Sequence, residues 1–239
     1  MSGDNPKKTR KISPKQFQPI EIVEVAKIFD SLFGVPVWRR KDPLDELIVT
    51  ILSQNTNDRN RDHAYTRLRS AFSTWNDVLC APVIEIEEAI RPAGLSNQKS
   101  KSIKNALEWV ERHFGELSLK NLVELDNDEA ITLLTSQKGI GVKTAAVLLA
   151  FSLDRDLCPV DTHVHRIAIR LGWVEEKATA EKTFYALRSL MPNGQAASFH
   201  LNLLKFGRTI CTARSPKCKE CPLRDRCLYL TKVNKPGKL

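Results

Sequence analysis

Four cysteines lie close together near the C-terminal end of the sequence: Cys211, Cys218, Cys221 and Cys227, in the spacing C-x6-C-x2-C-x5-C. Thiolates are soft donors, and four of them in one short segment suit an iron–sulfur cluster or a structural zinc. Zinc knuckles usually bring two separated short pairs. Here only Cys218 and Cys221 are so spaced, and one uneven run fits a cubane better. The chemistry of the residues puts the iron–sulfur cluster ahead of zinc without removing zinc. A pair of disulfides is the plainer alternative. It is disfavoured because no apolar signal core precedes the chain, and a chain of this size needs no covalent staples.

A second set of reactive residues lies upstream. The segment Lys138-Gly139-Ile140-Gly141-Val142-Lys143-Thr144-Ala145 reads as a G-x-G turn between two helices. Its glycines allow positive φ and close approach of backbone to a ligand, and its amides suit a phosphate. On its own such a turn is as often a tight connection. Lys143 sharpens the reading, because it is followed by Ala145, Ala146, Val147 and Leu148. Desolvation there would lower its pKa and free the amine for nucleophilic attack, the alternative being a lysine that reaches solvent or pairs with a phosphate. Eighteen residues on, Asp161 stands where a helix N-cap belongs, ahead of the apolar stripe Val164, Ile167, Ala168 and Leu171. It is a cap in the simplest account, and a fixed negative charge able to stabilise a developing cationic sugar in the functional one. His163 and His165 do not have metal-ligand spacing, and Cys80 and Cys158 read as small buried hydrophobes.

These residues need a scaffold, and the scaffold reads as all-α. The 239 residues are 42% hydrophobic, enough for one large or two small cores, and contain no apolar run long enough to span a membrane. Helical periodicity recurs from end to end. Ile20, Val23, Ala26, Ile28 and Phe29 mark a first helix ending near Gly34, and Leu44, Leu47, Ile48, Ile51 and Leu52 mark a second. A charged helix follows over 58–72, then short ones, then a long helix over 96–113 that is basic on one side. The segment 142–153 is apolar nearly all round and should be the buried centre. Helices over 162–171, 179–191 and 196–206 complete the set. The net charge of +9 favours an anionic partner. It is concentrated at the two ends: residues 1–17 form a basic flexible tail, and the cysteine loop carries Arg214, Lys217, Lys219, Arg224 and Arg226, placed to touch phosphates.

Taken in order, ILSQNTND (51–58), GLSNQKSKSI (94–103), KGIGVKTAAVLLAF (138–151), VDTHVHRIAIRLGW (160–173) and the four-cysteine loop resemble the endonuclease III family of helix-hairpin-helix DNA glycosylases. The resemblance runs from about Leu44 to Tyr229. It implies a six-helix barrel with the hairpin over 43–153, and a discontinuous cluster domain made of 18–42 and 154–239, with the catalytic pair facing the cleft between them. It implies a [4Fe–4S] cluster on Cys211, Cys218, Cys221 and Cys227. Lys143 matches the nucleophilic lysine and Asp161 the catalytic aspartate. Gly139 and Gly141 match the hairpin glycines that hold a phosphate, and Leu95 matches the residue that wedges into the stack. Asn55 or its neighbour Gln54 matches the residue that fills the gap left by the extruded base, and His163 is implied to lie near the DNA backbone. Arg214 and Lys219 are implied to contact phosphates. The partner implied is double-stranded DNA carrying a damaged base or an abasic site, met by an intracellular, DNA-associated monomer, cytoplasmic or nucleoid. Lys138 stands where the hairpin usually has proline, and DTHVHRIAIRLGW is also similar to the core of plant 5-methylcytosine glycosylases.

Overall fold

The structure, a computed structural model, describes residues 18–191 and 193–233. The expected basic tail over 1–17 lies outside the described residues. Among the described residues the secondary structure is helical, with no strand, and no helix is long and apolar enough to cross a membrane.

The described chain divides into two compact units, one over 37–159 and one made of 18–36 with 160–233. Residues 37–42 and 154–159 fall in the first unit, where the sequence reading had assigned them to the second. Side chains explain it. The Trp38 and Phe151 rings pack edge to face, 5.6 Å between centres, and Arg40 pairs with Asp154. The Arg155 guanidinium donates to the carbonyls of Val123 at 2.9 Å and Leu125 at 2.7 Å.

The 37–159 unit holds α2 (Pro43–Ser53), α3 (Asp58–Ala71), α4 (Trp75–Cys80), α5 (Val83–Ile90), α6 (Ser96–Phe114), α7 (Asn127–Ser136) and α8 (Val142–Ser152). The helix starts are set locally. Asp42 caps α2 ahead of Pro43, Asn57 caps α3, and reciprocal capping boxes open α4 (Thr74 with Asp77) and α7 (Asp126 with Glu129). Helix α8 is the buried centre the sequence suggested: residues 144 to 150 are all buried, and it packs on α2 and α7. Cys80 is exposed rather than buried, because it ends a six-residue helix that buries only Val78.

The second unit holds α1 (Ile22–Phe33), α9 (Thr162–Leu171), α10 (Ala180–Leu190), α11 (Ala196–Thr209) and α12 (Leu228–Val233). Its core joins residues far apart in the chain. Phe29 meets Phe206 at 4.7 Å and Phe199 at 6.0 Å between ring centres. Each such pair adds about 0.5–1.5 kcal/mol beyond the area it buries. Trp173 donates its indole N–H to the Ile20 carbonyl at 2.8 Å, and Asn202 reaches Asp30 and the Gly34 carbonyl. Helix α1 turns Ile22, Val25, Ala26 and Phe29 inward and leaves Val23 outside, so that Ala26 and Phe29 of the stripe read from the sequence are kept and Val23 is not. Helix α12 carries no signal that the sequence reading used.

Candidate active site

In the 37–159 unit the hairpin runs from the end of α7 to the start of α8. Gly139 has φ of 96°, a conformation that glycine alone takes without strain. Gly141 does not share this need. Its φ is −95°, and a Cβ built on it would meet nothing within 4 Å. Gly141 is the N-cap of α8, is exposed and supplies no side-chain cap. A bare Cα at this point leaves the first amides of α8 open to an approaching anion. Ile140 between the glycines is buried and pins the turn. Lys143 sits half-buried in the first turn of α8, directly behind it. Glu46 of α2 lies within the electrostatic reach of Lys143. Burial pushes the Glu46 carboxyl above the usual range, while Lys41, Arg61 and Lys143 pull it back down.

Two exposed tips belong to the same unit. Gln54 closes α2 in extended conformation, and Asn55 follows at φ 52°. Leu95 opens α6 at φ 50° and is 53% exposed. Left-handed backbone at a leucine costs roughly 1–3 kcal/mol and persists only where the surroundings hold it.

In the second unit Asp161 caps α9, its Oδ1 accepting from the amides of His163 at 2.9 Å and Val164 at 2.8 Å. His163 is half-buried, with its Nδ1 3.1 Å from an Nη of Arg166. Opposite it is Gly207 of α11, where a Cβ would come within 2.9 Å of the His163 Cβ. His163 thus has partners inside the protein, and Gly207 is there because no side chain fits.

Two arginines one turn apart on α9 reach the cysteine loop, and the sequence reading used neither. The Arg166 guanidinium donates to the Gly207 carbonyl at 3.0 Å and the Cys211 carbonyl at 2.9 Å. Arg170 donates to the Cys211 Sγ at 3.2 Å and the Thr212 carbonyl at 2.8 Å, with its guanidinium stacked 4.7 Å from the Tyr229 ring centre. Their i, i+4 spacing puts both on one face of α9, a signal that was present in the sequence. Arg214 and Lys219 are exposed on the loop, and Arg226 fastens it to Glu24 of α1 with a two-pronged ion pair.

The four cysteines are half-buried free thiols around one small cavity, closed by Ile210, Pro216, Tyr229 and Leu230. Burial, helped by the neighbouring Cys211, Cys227 and Cys218, pushes the Cys221 thiol up to about 11. Cys227 is raised for the same reasons. Thiols so placed become thiolates only when a cation joins them. Amides already point at the sulfurs, from Leu223 to Cys221 and from Leu230 and Tyr229 to Cys227. Among the described residues no three His, Cys, Asp or Glu converge to hold a single metal ion. Four thiols lining one cavity are the donor set that a [4Fe–4S] cluster takes.

The chain resembles known proteins along nearly its whole length. Residues 48–193 match the HhH-GPD superfamily base excision DNA repair protein family, and residues 211–227 match the iron-sulfur binding domain of endonuclease III. A putative DNA glycosylase of Arabidopsis thaliana is 39% identical over 75% of this chain, which spans 64% of that protein's length. Endonuclease III of Thermotoga maritima is 32% identical over 82% of this chain and 88% of its own. The solved structure of a trapped endonuclease III–DNA covalent intermediate has a TM-score of 0.77 at 25% identity, covering 94% of this chain and all of that one. The helical fold, the hairpin ahead of Lys143 and the four-thiol cavity all agree with these matches: the chain belongs to the HhH-GPD superfamily of base excision DNA repair proteins, as an endonuclease III-like DNA glycosylase with an iron–sulfur cluster.

Proposed function

We propose that this glycosylase removes a damaged or mismatched base from duplex DNA and then cleaves the strand at the abasic site, with Lys143 as nucleophile. The observation that carries the reading is the placement of Lys143, half-buried in the first turn of the buried helix α8 and directly behind the open hairpin. The similar solved structure of a trapped endonuclease III–DNA covalent intermediate supports it.

In this reading the hairpin amides at Gly139 and Gly141 hold a backbone phosphate, and Arg214 and Lys219 hold others without reading sequence. The target nucleotide leaves the stack, since its C1′ cannot be reached within the duplex. Leu95 wedges beside the vacancy, and the Gln54–Asn55 tip fills it. The Lys143 amine attacks C1′ while the bond from C1′ to the base breaks. Asp161 stabilises the positive charge that develops on the sugar and relays the proton lost by the amine. The C1′–O4′ bond then opens, O4′ taking the proton that Asp161 relays, to leave an imine; the imine acidifies the C2′ proton, and β-elimination expels the 3′ phosphate. His163, two residues after Asp161, lies near the DNA backbone. When bound, the cluster supplies the cross-link that orders the basic loop. The protein acts as a monomer.

Borohydride reduction in the presence of an abasic duplex tests the reading. The wild-type protein should be trapped on DNA and the Lys143→Ala variant should not. Trapping of the variant at the wild-type level assigns the nucleophile elsewhere. Base excision by a wild-type protein that is never trapped points to water as the nucleophile.

A further inference from the structure

Lys99 lies in the N-terminal half of α6 and is only 3% exposed, although its neighbours Gln98 and Lys101 are exposed. Its Nζ donates to two main-chain carbonyls, Leu52 at 2.8 Å and Ala93 at 2.8 Å. Leu52 belongs to the last turn of α2, where carbonyls have no helical amide to receive and where the helix dipole is negative. Ala93 ends the short 3-10 turn Arg91–Ala93. Each carbonyl immediately precedes one of the two exposed tips: Asn55 comes three residues after Leu52, and Leu95 two after Ala93. Lys99 also holds the second tip through its own backbone, its amide donating to the Leu95 carbonyl at 2.9 Å.

A lysine is a costly residue for this place. Burying an ammonium without a countercharge loses several kcal/mol of hydration, and burial alone pulls the Lys99 pKa below the ordinary lysine value. A leucine or methionine would give α6 the same helix propensity at no such cost. What the ammonium provides is a fixed link between two segments that both carry a left-handed, non-glycine residue, Asn55 at φ 52° and Leu95 at φ 50°. Strained backbone of this kind lasts only where it is over-determined.

We infer that Lys99 is a positioning residue: it locks the Gln54–Asn55 tip and the Leu95 tip in one fixed arrangement, so that both enter the duplex together. The inference rests on the reading above that these tips are what enters the DNA. A rigid pair of inserts needs no ordering at the moment of insertion, which is where preorganisation gains most. Lys99 touches neither base nor sugar and acts through the two carbonyls.

The test uses the full-length protein and a duplex with a tetrahydrofuran abasic analogue opposite 2-aminopurine, whose fluorescence rises when it is unstacked. Binding is followed separately by anisotropy. Wild-type protein at saturation should raise the fluorescence, and Leu95→Ala should blunt the rise. Lys99→Met should still bind, yet give a rise smaller by about tenfold, the scale of losing charge-assisted hydrogen bonds. Lys99→Gln should fall between, and Lys99→Arg, whose guanidinium can reach two carbonyls, should recover most of the signal. A full rise with either neutral variant, folded by circular dichroism, overturns the inference. Should Lys99→Met fail to fold, Lys99→Gln decides by the same criterion. If wild-type protein gives no rise, or Leu95→Ala gives a full one, the tips do not enter the duplex, and this inference falls with that part of the functional reading. Borohydride trapping of the wild-type protein reports on Lys143 independently of either result.

Discussion

Asp161 has two duties that one substitution separates. Its Oδ1 accepts the amides of His163 and Val164, and this is what starts α9. Its charge is what the proposed chemistry uses. Asparagine keeps a capping oxygen and loses the charge, so Asp161→Asn should melt near the wild-type temperature and bind DNA normally. Single-turnover excision should fall by roughly two to three decades, the usual return on one well-placed charge at a transition state. Excision within about threefold of wild type would show a cap and nothing more. The cysteines divide as cleanly. Purified protein should hold about four irons per chain with acid-labile sulfide, and Cys218→Ser or Cys221→Ser should deplete both. Cys80→Ser and Cys158→Ser should leave the metal content unchanged, since neither side chain lines the four-thiol cavity. Stoichiometric zinc without sulfide would replace the cluster with a zinc site.

At the scale of the element, the hairpin contains two glycines that are there for different reasons. Gly139 holds φ of 96°, so Gly139→Ala strains the turn and should cost about 1–3 kcal/mol of stability. Gly141 has an ordinary extended φ and open space where a Cβ would go, so Gly141→Ala should be neutral or slightly stabilising in a melt. The same methyl group stands over the open amides of α8 and should weaken binding to duplex DNA several-fold. The pair of measurements, melting and DNA affinity, should therefore separate the two positions. Equal loss of stability in both variants would show that Gly141 serves the fold and not the ligand. Helix α9 has an analogous double role: its N-terminus carries Asp161, and its far face sends Arg166 and Arg170 to the cysteine loop.

For the whole molecule the governing quantity is charge. The net +9 is unevenly spread, with Arg214 and Lys219 exposed on a loop that Arg226 fastens to Glu24. Contacts of this type give affinity without base recognition. The double variant Arg214→Glu, Lys219→Glu should weaken binding to damaged and undamaged duplex by similar factors. It should also reduce the log–log dependence of affinity on salt by about one unit for each phosphate contact removed. Loss of damage discrimination at unchanged affinity for plain duplex would mean that the loop reads the lesion.

The sequence by itself determined most of the helices and supplied the candidate reactive residues. Helical periodicity, capping residues, the G-x-G turn and the cysteine spacing are all local, and each needs only a few neighbours to be recognised. The family likeness drew on the same local segments, and the profile matches over 48–193 and 211–227 agree with it. Only the tertiary structure decided what each side chain meets. Lys99 read as part of a basic helix face, and it is buried because its partner carbonyl at Leu52 lies 47 residues upstream. Arg170 had no part in the sequence reading, and it serves a sulfur 41 residues downstream. Val23 and Cys80 read as buried and are not, since α1 turns Ile22 and Val25 inward beside Ala26 and Phe29, and α4 is too short to cover its last residue. The hairpin glycines read as allowing positive φ and close backbone approach, and the fold gives the positive φ to Gly139 and not to Gly141. Burial, partner choice and the cost of a charge depend on elements brought together by the fold, and no window of neighbouring residues contains them.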